Sequence, residues 1–309
     1  MRIRPILGFL IAACLIVGVC AGFLPIRLHH FTKEEVPNPI ANKKKRVVLI
    51  AGNCSHGSGQ HEHQAGCVLL AQLLNKNVPG IQADVYTGGW PKDPRAFDNA
   101  AAVVMYSDGG EGHMVNPHLD ELAVLMKKGV GLACIHYAVE VPKGKPGDYF
   151  LNWIGGYFET YWSVNPVWQA RFDTLPRHPI TRGVKPFQTD DEWYYHMRFP
   201  EKMTGVTAIL SAVPPTTTLE REDGPHEGNP AVRAEMGKPQ TVAWCRERPD
   251  GGRGFGITAG HFHRNWTNDD YRKLVLNAIV WVAKGEVPKA GVSSQTPAKA
   301  AMAANLCRH

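Results

Sequence analysis

The sequence predicts an α/β protein built on an open parallel sheet with helices on both faces. Three observations carry that class. Short unbroken apolar runs, such as "RVVLIA" at Arg46 to Ala51 and "GLACI" at Gly131 to Ile135, have the hydrophobicity of strands buried on both sides. Longer segments with apolar residues at helical spacing separate these runs in strand–helix order. A chain of 309 residues with 44% hydrophobic and 20% charged side chains can also bury a sizeable core.

The elements follow in order. The first strand, "RVVLIAG", runs into a turn rich in glycine and histidine, "GNCSHGSGQHEHQAG", Gly52 to Gly66. A helix is expected over "HQAGCVLLAQLLNK", then strands at "IQADVYTG" and "AAVVMYS". The next helix, "NPHLDELAVLMKKG", has Pro117 in its first turn and Gly129 as its stop, and "VGLACIH" is the fourth strand. Beyond His136 the pattern is irregular and aromatic, with Trp153 and Tyr157 reading as a packing face. Short strands return at "VTAILSAV", "QTVAWCRE" and "GFGITAGH". The last helix, "TNDDYRKLVLNAIVWVAKG", offers Thr267 and Asp270 as a capping box and sets Tyr271, Leu274, Val275, Ala278, Ile279 and Val282 on one face.

Residues 1–24 read as a signal peptide or membrane anchor. Arg2 and Arg4 precede an uncharged apolar run of 19 residues, Ile6 to Leu24, and Val19-Cys20-Ala21 offers a cleavage site. The expected location is therefore exported, periplasmic or anchored outside the cytoplasm. Arg27, Lys33 and the run Lys43 to Arg46 argue the other way, since they put more positive charge after the segment than before it. A polar linker fills residues 25–45, the folded domain is expected over 46–285, and residues 286–309 read as a disordered tail. Of the formal charge of +6, residues 1–45 carry +5 and residues 286–309 carry +2, leaving the body near −1. That excludes a nucleic-acid partner, leaves membrane contact to the N-terminal segment, and says nothing of oligomeric state. Seven cysteines do not make a disulfide framework in a chain this long. Cys67, Cys134 and Cys245 read as buried thiols, and with no CxxC a thiolate zinc site is not indicated.

Ligands of an open parallel sheet bind outside the carboxyl ends of its strands. Those ends bring His56, His113, His136, His261 and His263 to one rim, joined by Asp108 from "SDGGEGH". The turn lacks GxGxxG and GK[ST], so no nucleotide cofactor is indicated. If the helix begins near His61, His61 and His63 stand about 200° apart around its axis and cannot share a metal. His61 and Glu62 then lie in a first turn that favours an anionic group. A divalent ion, zinc by preference, is the natural use of several histidines from separate loops. The expected ligands are His56, His136 and His261, with Asp108 or Glu192 as carboxylate. Without a metal, the same histidines could move protons on a sugar hydroxyl or a carbon beside a keto group. Glu192, in "TDDEWYYH", is expected in the site with Tyr195 as companion, and Trp266 as a stacking surface for a sugar. Lys143, Lys145 and Arg264 could steer an acidic or phosphorylated sugar, though surface solubility is their default reading.

Five motifs in order, "SHGSGQHE", "GLACIH" with "IGGYF", "HPITRGV", "DEWYY" and "GH" ahead of "LVLNAIVW", resemble the ThuA-like (trehalose utilisation) family over residues 46–285. That family is part of the class I glutamine amidotransferase-like superfamily. The resemblance implies a flavodoxin-like α/β fold and a role with trehalose, related disaccharides or their oxidised derivatives. An amidotransferase places its nucleophilic cysteine on a tight turn between strand and helix. Cys134 would occupy that place, but Ile135-His136-Tyr137 follow it, and "VEVPKGKPG" with its two prolines does not read as a helix start. His261 matches the late amidotransferase histidine, while Phe262-His263 stand where a glutamate should follow. Glutamine hydrolysis is therefore expected to be lost. The overall expectation is an exported carbohydrate enzyme, an isomerase, epimerase, lyase or hydrolase, with a non-catalytic carbohydrate- or partner-binding module as the alternative. Catalysis would fall to His56, His136, Glu192 and His261, and substrate contact to His61, Glu62, Asp108, His113, Tyr195, His263 and Trp266.

Overall fold

The computed structural model describes residues 44–308. The predicted export segment and most of the linker lie outside the described residues. Among the described residues, no helix is long and apolar enough to cross a membrane.

Seven strands form one sheet in the order β2-β1-β3-β4-β9-β8-β7: β1 Lys45–Ala51, β2 Ile81–Tyr86, β3 Ala100–Tyr106, β4 Gly131–Ile135, β7 Val206–Ala212, β8 Gln240–Glu247 and β9 Arg253–Ile257. The first five strands of that order pair in parallel, which is the doubly wound flavodoxin-like arrangement. β8 runs antiparallel to both β9 and β7, so the sheet is mostly parallel with an antiparallel edge.

The unbroken apolar strands are buried on two sides, as their composition requires. Val47, Leu49, Val104 and Ile135 meet helices α1 (His63–Asn77) and α5 (Asp269–Val282) in one core. Val48, Ile50, Val103 and Leu132 meet α2 (Leu119–Lys127) and α3 (Lys145–Trp153) in the other. Gly131 lets α5 approach β4: a Cβ there would lie 2.1 Å from the Val282 carbonyl oxygen.

Several expectations need correction. The segment after β4 does start a helix, α3, because Pro146 falls at its first positions, where a missing N–H costs nothing. Helix α5 is capped by Asn268, whose side chain accepts from the N–H groups of Asp270 and Tyr271, while the Thr267 hydroxyl turns back to the Arg264 carbonyl. The aromatic region contains a two-stranded antiparallel sheet, β5 (Val167–Phe172) with β6 (Phe187–Glu192), and the short helix α4 (Pro230–Ala234) follows later. Residues 286–308, expected as a disordered tail, lie against the body. Val287 and Val292 are buried, the Val292 N–H reaches Asn277 on α5, and α6 (Lys299–Met302) leads to a Cys54–Cys307 disulfide. A pairing across 253 residues has no local signature in the sequence. Cys67, Cys134 and Cys245 are free and buried.

Candidate metal centre

Five segments meet at the carboxyl end of the parallel strands. The β1–α1 loop supplies His56 and His61, the end of β3 supplies Asp108, the end of β4 supplies His136, and the loop after β9 supplies His261. β6 reaches over with Glu192, and Tyr194 follows two residues later. His61 and His136 both hold left-handed backbone conformations, with φ of 46° and 58°. Such strain in residues other than glycine persists only where the surroundings enforce it. The His61 N–H is tied to the His261 carbonyl at 3.0 Å. Asp191, fully buried, accepts from the backbone N–H groups of Gly260 and His261 and from Asn265, which fixes the His261 turn. Gly260 (φ 132°) leaves room at that turn, where a Cβ would lie 3.0 Å from that of His136.

The ring orientations follow from hydrogen bonds. His61 Nδ1 lies 2.8 Å from Asp108 Oδ1, and His136 Nδ1 lies 2.7 Å from the Thr258 carbonyl. Both partners only accept, so each Nδ1 carries a proton and each Nε2 is turned inward. There His61 Nε2 is 3.1 Å from His136 Nε2 and 3.0 Å from His261 Nδ1. Glu192 Oε2 lies 3.1 Å from His261 Nδ1 and 3.4 Å from His136 Nε2, and the Tyr194 hydroxyl is 3.2 Å from the same Nε2. These four ligand-type atoms, from His61, His136, His261 and Glu192, all lie within 4.8 Å of one another. Ligands about 2.0–2.1 Å from a tetrahedral zinc are about 3.3 Å apart, which the shorter contacts match.

The electrostatics favour one positive charge at this point. Burial pushes His61 down to about 3, outweighing the Asp108 hydrogen bond, and keeps it in its neutral, ligating form. Burial opposes charge on His136 too, but the hydrogen bond and charge of Glu192 outweigh it and raise its pKa. Glu192 is held far below the usual carboxylate range by His136 and His261 in spite of its burial. Asp108 falls to about 2, its burial outweighed by hydrogen bonds from His61 and Ser55. A proton on His136 or a cation among the four ligands satisfies the same demand.

The family model described as trehalose utilisation matches residues 46–282. The chain belongs to the ThuA family. No curated protein matches it. Among solved structures, a ThuA-like protein from Bacteroides uniformis is similar at 16% identity and a TM-score of 0.56, covering 80% of this chain and 94% of that one. A ThuA-like protein from Parabacteroides merdae is similar at 17% identity and a TM-score of 0.51, covering 82% and 94%. These two share the fold.

On this ThuA scaffold the expected site residues separate. His136, His261, Glu192 and Asp108 come together. His61 occupies the place expected for His56, because α1 starts at His63 and leaves His61 free to turn inward. His56 stacks on His61, with ring centroids 3.6 Å apart, at the mouth of the cluster beside Ser55. The other expected contacts are buried in the framework. Glu62 accepts from the N–H groups of Gly59 and Cys307. His113 bonds the Ala138 carbonyl and the Val115 N–H. His263 bonds the Met302 carbonyl, and Trp266, 1% exposed, presents no face to a sugar. Tyr195 points to Thr218, because alternation beyond β6 sends Tyr194, not Tyr195, to the side of Glu192. Lys143 pairs with Glu159, Lys145 with Asp120 and Arg264 with Asp190.

A second pair has no signature in the sequence. His226 Nε2 donates to the buried carboxylate of Glu140 at 2.9 Å, and its ring stacks against Phe158, which itself abuts Tyr194. Glu140 follows His136 by one short helical turn, while His226 arrives on the segment between β7 and β8. "DGPHEGNP" carries no signal of that meeting.

Proposed function

We propose that this ThuA protein is a metal-assisted carbohydrate enzyme, whose ion is held by His61, His136, His261 and Glu192. The observation that supports it most is the inward convergence of His61 Nε2, His136 Nε2 and His261 Nδ1 on Glu192, with the outer nitrogens of His61 and His136 tied to Asp108 and Thr258. Outer partners of that kind orient metal-bound histidines. A divalent ion there would polarise a sugar carbonyl or hydroxyl and lower the pKa of a bound water.

The chain's own groups supply the rest. Glu140 fixes the His226 ring with Nε2–H bound, which leaves Nδ1 without a hydrogen-bond partner among the described residues and able to take or return a proton. His56 and Tyr137, both part-exposed, border the opening and would contact the substrate. The substrate class is a disaccharide or its keto form, in keeping with the family's link to trehalose utilisation. The buried thiol of Cys134, pushed up by desolvation, is no nucleophile, which supports a reading without amidotransferase chemistry. The Cys54–Cys307 bridge supports an exported location, since such bonds persist in oxidising compartments.

Elemental mass spectrometry tests the reading. The purified chain should hold near one equivalent of a divalent ion, His61→Ala should lose it, and His56→Ala should keep it. A metal-free wild type would remove the metal-assisted version. Sugar binding without turnover in the loaded protein would leave a carbohydrate-binding module.

A further inference from the structure

The family match ends at residue 282, yet the chain beyond it returns to the candidate centre. The return has two parts. Residues 287–296 are fastened to α5: Val292 N–H to Asn277, Arg272 to the Ser294 hydroxyl at 3.0 Å, and the Thr296 hydroxyl to Asp269 at 2.7 Å. Residues 299–307 are fastened to the site loops instead. The Met302 carbonyl accepts from His263 at 3.1 Å, the Cys307 N–H donates to Glu62 at 2.6 Å, and Cys307 is bonded to Cys54. Between them and the loops runs an open groove of about 500 Å³ lined by Gln60, Phe262, His263, Met302 and Leu306.

Cys54 belongs to the loop that carries His56 and His61. Over residues 54–58 the backbone makes one hydrogen bond among the described residues, from the Gln60 N–H to the Gly57 carbonyl. Beside the Ser55 hydroxyl, which donates to Asp108, and the stacking of His56 on His61, the disulfide is the covalent tie of the loop's outer half. Glu62, with no exposed surface, joins the loop to residues 299–307: one oxygen accepts from the Gly59 N–H at 2.8 Å and the other from the Cys307 N–H.

We infer that residues 299–307 form a redox-dependent strap, and that the Cys54–Cys307 bond positions the His56–His61 loop for metal binding. In the closed form the disulfide and Glu62 hold both ends of the loop. A dithiol or phosphine reductant transfers two electrons to the S–S bond, which breaks to two thiols as two protons are taken up and the reductant is oxidised. The loop then loses its outer tie while α5 keeps residues 287–296 in place. The closed form belongs to an oxidising compartment. The metal-affinity half of this inference rests on the proposed centre, whereas the loop-ordering half does not.

The test uses the full chain, oxidised or reduced with a phosphine, with thiols counted by mass spectrometry. Two readouts are followed: zinc affinity by chelator competition, and backbone hydrogen exchange. Reduction should speed exchange at the hydrogen-bonded amides of Gly59, Gln60, His61 and Cys307 by about tenfold or more, with α5 unchanged, and should weaken zinc binding by about 10–100-fold, as loss of outer-shell support does. The double variant Cys54→Ser, Cys307→Ser should match the reduced protein with or without reductant, and reoxidation should restore the wild type. Exchange in the loop that is unmoved by reduction, or that rises equally in α5, overturns the strap. Normal zinc affinity in the reduced chain overturns its positioning role. If neither form binds zinc, the metal centre and this positioning role fall together, while the exchange data still decide the strap.

Discussion

At the residue scale, the centre depends on which ring nitrogen each histidine turns inward. Asp108 sets this for His61, so Asp108→Asn should weaken zinc binding by about 10–100-fold without unfolding the chain, read by chelator competition beside circular dichroism. An unchanged affinity would show that Asp108 does not orient the ring. Gly260→Ala should act in the same direction from the other side, because its side chain would meet His136 at a backbone angle that alanine rarely adopts. The expected loss is about 1–3 kcal/mol of stability, read by denaturant unfolding. His136 and His261 were legible because they stand at strand ends, and Glu192 because aromatic residues follow its acidic run. The choice between His56 and His61 was not, since it turns on one left-handed residue before the helix. The choice between Tyr194 and Tyr195 depends on where alternation continues past the strand.

At the scale of elements, two supports are separable from the site. Asn268→Ala removes the side-chain cap of α5 and should cost about 1 kcal/mol in chemical denaturation. Glu159, in the segment after α3, receives Arg198, Tyr157 and Lys143. Its burial alone would raise its pKa, but those hydrogen bonds outweigh burial and hold the carboxyl at about 2. A depressed carboxyl stabilises the fold above its unfolded pKa, and that contribution is lost as pH falls through the folded value. Glu159→Gln should therefore cost about 1–3 kcal/mol near pH 7, with the difference from wild type closing between about 4.5 and 2. A difference that persists at the acid end would mean the carboxylate is not the stabilising form. The parallel strands and main helices were legible from period and punctuation. The β5–β6 ribbon was hidden by a polar run, "QTDDE", in which Asp191 is buried by backbone N–H donors and not by hydrophobicity.

At the scale of the whole molecule, the sheet order places the loops after β1, β3, β4 and β9 at one end, and that is why residues from across the chain share a few ångströms. The fold class and the strand-end members of the rim, Asp108, His136 and His261, could be read from strand ends. The His226–Glu140 pair and the Cys54–Cys307 bridge could not, because each joins segments with no local pattern linking them. The proposed function stands or falls with the identity of the metal ligands. X-ray absorption at the zinc edge, on the zinc-loaded oxidised chain, measures it most directly. The expected spectrum shows three imidazole nitrogens and a carboxylate oxygen at about 2.0–2.1 Å, with one imidazole fewer in His61→Ala at high zinc concentration. A spectrum lacking imidazole scattering, or one unchanged by that substitution, would contradict it.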